Sequence, residues 1–150
     1  MIIRKGLEQD QPALKELMEE FQMLGDAPAE EFLVAEQEGV IAGTVRLERI
    51  EEDVYLRAMA VHTAWHGQGV GSQLVRELLA GLDNVKVVAR GYSAPFYEKL
   101  GFRPVEWEVI HEDMRRECVE CPDVNTCKPV PMIYERTIND QINAKMYSNS

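Results

Sequence analysis

The apolar pattern changes period once in the stretch that organises the chain. Val54 to Val61 reads as a strand, His66-Gly67-Gln68-Gly69-Val70-Gly71 as a glycine-rich turn, and Leu74, Val75, Leu78, Leu79 and Leu82 recur on one face of a helix that opens inside that turn. Upstream, Ile2 and Ile3 begin a short strand. Asp10 then stands where a helix cap belongs, with Pro12 in the first turn and Leu14, Leu17, Met18 and Phe21 on one face. Gly25-Asp26-Ala27-Pro28 ends that helix. Phe32 to Ala35 and Val40 to Leu47 read as two strands joined by Glu38-Gly39. Along the second, Ile41, Gly43, Val45 and Leu47 share one face and Ala42, Thr44, Arg46 and Glu48 the other, which predicts one dry face and one partly wet. Beyond the organising helix, Val85 to Ala89 forms another strand, Phe96 to Leu100 a short helix stopped by Gly101, Phe102 to Ile110 a strand, and Val130 to Glu135 a closing strand. A strand–helix–strand unit of this kind is a right-handed parallel crossover. The sheet is therefore expected to be mixed, antiparallel early and parallel in its middle.

Composition narrows the class. A chain of 150 residues, 45% hydrophobic and 28% charged, suits one domain. Sixteen basic against 26 acidic residues give a net charge of −10, and no basic patch stands against it, so neither nucleic acid nor an anionic membrane is expected as partner. No apolar run approaches the ~20 residues of a membrane span, and Met1-Ile2-Ile3-Arg4-Lys5 opens no signal segment, which leads to an expectation of a cytoplasmic protein.

The glycine turn carries the first candidate chemistry. The leading N–H groups of a helix lack intrahelical partners and sit at its partially positive end, and glycines let an anion approach them closely. The turn lacks the Gly-Lys-Ser/Thr ending of a nucleotide-hydrolase loop and the spacing of a dinucleotide fold, so phosphate would be held by backbone.

At these residues the chain resembles a family. His66 to Gly71 is similar to the R/Q-x-x-G-x-G/A loop of the GNAT N-acetyltransferases, and Ala94-Pro95-Phe96-Tyr97-Glu98-Lys99-Leu100-Gly101-Phe102 resembles that family's second signature at the expected distance downstream. The resemblance implies an α/β fold, a central mixed sheet flanked by helices. It implies a domain over residues 1–136 with a cysteine-containing insertion at about 108–129, followed by a polar tail at 137–150. It also implies acetyl-CoA as cosubstrate, an amine acceptor on a small molecule or protein, and a homodimer. The main chain of Met59, Ala60 and Val61 would line the pantetheine, and His66, Gly67, Gln68, Gly69, Val70, Gly71 and Ser72 would hold the pyrophosphate, with His66 replacing the family's Arg or Gln. Tyr97 matches the tyrosine that protonates the departing CoA sulfur. The family's base position is Tyr55 here, leaving Glu48, or Glu51 and Asp53, as carboxylates acting directly or through water, with attack by an already neutral amine as the alternative. A non-catalytic acyl-CoA-binding sensor or interaction module is the rival reading.

Cys118, Cys121 and Cys127 form a C-x2-C-x5-C pattern within the insertion. One reading is a structural zinc, with His111 or Asp123 as fourth ligand. Free or redox-active thiols and a Cys118–Cys121 disulfide are the others.

Overall fold

The computed structural model describes residues 1–23 and 27–136. The expected break at Gly25-Asp26 and the expected polar tail at 137–150 lie outside the described residues. The strands are β1 (Ile2–Lys5), β2 (Phe32–Gln37), β3 (Val40–Ile50), β4 (Asp53–Val61), β5 (Asn84–Ala89), β6 (Arg103–Pro104) and β7 (Val130–Glu135). The α-helices are α1 (Gln11–Glu20), α2 (Val70–Leu79), α3 (Ala94–Lys99), α4 (Glu112–Glu120) and α5 (Val124–Cys127). The strands hydrogen-bond in the order β1-β2-β3-β4-β5-β7-β6. β1, β2 and β3 pair antiparallel, β4 pairs parallel with β5 at Tyr55 opposite Lys86, and β7 runs antiparallel to both β5 and β6. This is the expected α/β architecture with a mixed sheet flanked by helices. The backbone divides into two compact units: Met1–Glu48 with Leu56–Gly81, and Arg49–Tyr55 with the described part of 82–150.

In the first unit, Leu14, Leu17 and Met18 of α1 bury against Ala29, Phe32, Val34 and Ala60, as the helical spacing predicts. Asp10 stands at the N-cap position, but its side chain makes no cap bond. It turns back instead: Oδ2 accepts from the Leu7 N–H and from Arg4 Nη1, each at 2.8 Å, and Arg4 Nε donates to Glu36 at 2.8 Å. Glu38 (φ 51°) and Gly39 (φ 79°) are both left-handed, the conformation a two-residue hairpin loop demands. β3 departs from expectation, because Ala42, Gly43, Thr44 and Val45 are all buried. Both faces of its middle are therefore covered. Gly43 permits this on one side, since a Cβ there would lie 3.0 Å from Leu74 Cδ1 and from Val70 Cγ1 of α2.

In the second unit, β5 buries Val85, Val87 and Ala89 in strict alternation. The expected strand from Phe102 to Ile110 shrinks to Arg103–Pro104, followed by a 3-10 turn at Trp107–Val109 and then by α4. Contact with β7 ends one residue later, where the Val105 N–H donates to the Pro131 carbonyl at 3.0 Å, and the next segment offers a helix start. His111 caps α4 by accepting the Asp113 N–H at Nδ1, and Glu112 and Asp113 place negative charge in its first turn. Ile110 and Met114 bury against Tyr55, whose hydroxyl accepts the His111 N–H at 2.8 Å.

The Asp10 bonds have a pH signature. The Arg4 guanidinium and the Leu7 N–H hold the Asp10 carboxyl below its ordinary value, against the opposing effect of burial. Its stabilising contribution is therefore present above the unfolded carboxyl value of ~3.9 and lost as pH falls through the lower folded value. Asp10→Asn is expected to destabilise by about 2 kcal/mol at pH 7. Urea melts at stepped pH should show the gap between variant and parent closing below pH ~4.

Candidate active site

β4 is irregular at its centre. Ala58 has φ 53°, a left-handed conformation that a non-glycine residue adopts in mid-strand only under constraint, at a cost of about 1–3 kcal/mol. The constraint is visible on β3. Thr44 is fully buried, and its hydroxyl donates to the Ala58 carbonyl at 3.0 Å. The carbonyl is satisfied by a side chain, and the strand is kinked as at a bulge, which re-aims neighbouring peptide groups away from the regular ladder. Met59, Ala60 and Val61 follow this kink and end the strand. Neither glycine nor proline marks the position, so sequence pattern gave no signal for it.

Beyond β4 the chain is pinned residue by residue. The His62 N–H donates to the Ala42 carbonyl at 2.7 Å, and His62 Nδ1 accepts the Ala64 N–H, capping the 3-10 turn Thr63–Trp65. Gly67 (φ 80°) and Gly69 (φ 78°) then take left-handed conformations, with no atom within 4 Å of where either Cβ would stand. Gly69 is the N-cap of α2, so the N–H groups of Val70, Gly71 and Ser72 form its unsatisfied first turn beside that open space. A phosphate-sized anion fits this arrangement.

His66 is differently engaged than expected. Its Nε2 donates to the Val61 carbonyl at 2.7 Å, its own N–H bonds the Thr63 carbonyl, and its ring leans on Phe21 with centroids 6.1 Å apart. The imidazole therefore stitches the loop back to the end of β4, where an Arg or Gln in its place would be expected to reach forward to phosphate.

Tyr97, on α3, is the more deeply buried of the Phe96–Tyr97 pair, packed edge-on between Phe96 and Phe102 with centroids at 5.1 and 5.3 Å. Burial pushes its phenol well above the ordinary tyrosine value, so the hydroxyl stays protonated. Among the described residues nothing hydrogen-bonds that hydroxyl. Tyr55 is fully buried and also shifted upward, chiefly by burial, with its oxygen accepting the His111 N–H. Glu48 is no free carboxylate: Oε2 accepts from Arg57 Nη1 at 2.8 Å. Asp53 pairs with Lys86 at 3.0 Å, and Glu51 lies 3.4 Å from His111 Nε2.

The zinc reading gains no support from the structure. Among the described residues no three His, Cys, Asp or Glu side chains converge to hold a metal ion, and the three cysteines form no disulfide. The reason is local. Cys118 lies in the last turn of α4, Cys121 is its C-cap and Cys127 ends α5, so helix replaces the turn that would bring thiolates together. His111 is the N-cap of the same α4, about 15 Å of helical rise from Cys121, and its ring is occupied by the cap.

Comparison with known proteins agrees with the geometry. The model of the acetyltransferase (GNAT) domain matches residues 28–104, which hold the β4 kink, the glycine turn and Tyr97. An uncharacterized N-acetyltransferase of Chlorobaculum tepidum is 26% identical over 115 residues, 69% of each chain. Among solved structures, the N-acetylglutamate synthase of Neisseria gonorrhoeae, complexed with coenzyme A and N-acetyl-glutamate, superposes with a TM-score of 0.73 at 17% identity, covering 89% of this chain and 34% of that one. A Mycobacterium tuberculosis protein in complex with CoA superposes at 0.69 with 22% identity, covering 90% and 99%. At these identities the superpositions speak for the fold. The family match spans more than half of the chain, and with it the conclusion is reached that the chain belongs to the GNAT family and is an acetyltransferase.

Proposed function

We propose that the protein transfers an acetyl group from acetyl-CoA to a primary amine. The observation that carries this reading is the open, glycine-lined first turn of α2, directly after a strand kinked at Ala58. Backbone N–H groups of Val70, Gly71 and Ser72 would hold the pyrophosphate, with Gly67, Gln68 and Gly69 shaping the approach. His66 serves that site by holding the loop. The main chain of Met59, Ala60 and Val61 lines the pantetheine, and a peptide N–H turned outward by the kink polarises the thioester carbonyl. The Neisseria gonorrhoeae synthase and the Mycobacterium tuberculosis protein, both in complex with CoA, support the cosubstrate.

The reaction needs a neutral amine, a stabilised oxyanion and a proton for the departing thiolate. Tyr97 is the proton donor, and its raised phenol value keeps the proton available across the working range. With Glu48 paired to Arg57 and Asp53 to Lys86, and Glu51 beside His111, the amine arrives neutral or gives its proton to water.

Binding and kinetic outcomes test the reading. Calorimetry with acetyl-CoA should show one saturable site per chain in the parent and none for Gly69→Glu, which sets a carboxylate in the open space; Gly69→Asn, neutral and tolerant of a left-handed φ, should keep most of the affinity. Tyr97→Phe should lower kcat by about 10²-fold or more while leaving CoA affinity unchanged, because general acid catalysis contributes at that scale. Since burial raises the Tyr97 value, the parent's rate should not fall through loss of this proton below pH ~10. His66→Ala should raise the KM for acetyl-CoA several-fold with little change in kcat. Binding of acetyl-CoA to Gly69→Glu at parental strength would remove the site.

A further inference from the structure

The kink in β4 is more tightly specified than a change of strand direction requires. Ala58 keeps a side chain at φ 53°, where glycine would sit without strain, and the Thr44 hydroxyl donates to its carbonyl at 3.0 Å. Thr44 is itself firmly placed. It is fully buried, its backbone stands in the β2–β3 ladder opposite Val34 of the α1 cluster, and a β-branched side chain has a restricted χ1. Next to it, Gly43 lets Leu74 and Val70 of α2 press against β3. The hydroxyl is a fixed donor on a packed strand.

That donor sets a direction. None of the described peptide bonds is cis, and in a planar trans peptide the C=O and the following N–H point opposite ways. With the Ala58 carbonyl turned to the Thr44 hydroxyl, the Met59 N–H points away from it. Stability alone does not call for this arrangement, because glycine at 58 would take the same φ freely and an unkinked strand would need no hydroxyl. What Thr44 and Ala58 add together is a rigid aim for one N–H. A donor to a developing oxyanion requires that rigidity, since its worth lies in being oriented before the reaction begins.

We infer that Thr44 is a positioning residue for acetyl transfer: through the Ala58 carbonyl it aims the Met59 N–H at the thioester oxygen, and so controls turnover rather than acetyl-CoA affinity. The inference rests on the acetyl-transfer reading above and adds a side chain, outside the cofactor loop, that governs its rate. Different parts of the chain serve the two ends of the cosubstrate. The pyrophosphate takes its contacts from the first turn of α2, which loss of one hydroxyl on β3 leaves in place. The bond to the thioester oxygen strengthens only as the carbonyl is attacked, so its loss is felt in kcat.

The test follows the thioester carbonyl itself and does not depend on which amine is the natural acceptor. Acetyl-CoA labelled with carbon-13 at the acetyl carbonyl is bound to the full chain and to its Thr44→Val and Thr44→Ser variants, and the isotope-edited infrared band is recorded. In the parent the band is expected at lower wavenumber than in water. Thr44→Val should bind acetyl-CoA with parental affinity yet lose most of that displacement, and Thr44→Ser, which keeps the hydroxyl on a freer side chain, should retain part of it. With n-butylamine as acceptor, kcat in Thr44→Val should fall about tenfold or more with the KM for acetyl-CoA unchanged. If Thr44→Val does not fold, Thr44→Val with Ala58→Gly carries the same test, because glycine takes the left-handed φ without strain. A band displaced as far as in the parent, or an unaltered kcat, overturns the inference. So does a fall in acetyl-CoA affinity that accompanies the lost displacement, which marks Thr44 as structural only. A parent that binds acetyl-CoA without displacing the band overturns it too while leaving the cosubstrate reading intact; a parent that binds no acetyl-CoA strikes the function itself.

Discussion

A single buried hydroxyl holds the irregular point on which the first unit turns. Thr44 has no exposure, and the carbonyl it satisfies belongs to a residue whose left-handed backbone costs more than an ordinary strand residue would. Without that bond the Ala58 carbonyl would lose this partner, and the cheaper solution would be a regular strand. The bond lets the kink persist, and the kink decides which way the last peptides of β4 face before the chain enters the glycine turn. Gly43 makes a matching concession next door by omitting a side chain so that Leu74 and Val70 of α2 can press against β3. The start of α2 is thereby held close to the strand pair that feeds it.

Two ionic groups in this unit differ in how closely their members approach. At Arg4, one guanidinium serves two carboxylates, Asp10 and Glu36, and a backbone N–H fills in the remainder, so donors and acceptors are matched. At Glu48, one carboxylate faces two guanidinium groups and only Arg57 reaches hydrogen-bond distance. Closed groups of the first kind fix a fold.

Much of this was legible in the chain itself. The helical spacing of Leu14, Leu17 and Met18, the alternation of Val85, Val87 and Ala89, and the glycines at 67 and 69 are periodic or conformational signals, and the structure follows them. The signals failed where a side chain found a tertiary partner that no local pattern encodes. Asp10 was readable as a cap until Arg4 claimed it, and no local pattern announced that His66 Nε2 bonds the Val61 carbonyl. Ala58 is chemically the least conspicuous residue of β4, so its backbone conformation had no sequence trace. Phe102, Val105, Trp107, Val109 and Ile110 have strand-like composition, yet only Arg103–Pro104 forms strand before the 3-10 turn at Trp107–Val109, and the His111 cap that starts the next helix acts locally.

The ring closed between His66 and Val61 has a kinetic meaning. Five residues after the strand ends, the chain is already tied back to it, and Thr63 is tied in turn to Glu20 on α1. A loop so fastened gives up little conformational freedom when a ligand arrives, so most of the contact energy is expressed as affinity and little is spent on ordering. Encounter then requires no folding step, and association should proceed at the pace of a rigid, preformed surface, with differences between ligands expressed in how slowly they leave.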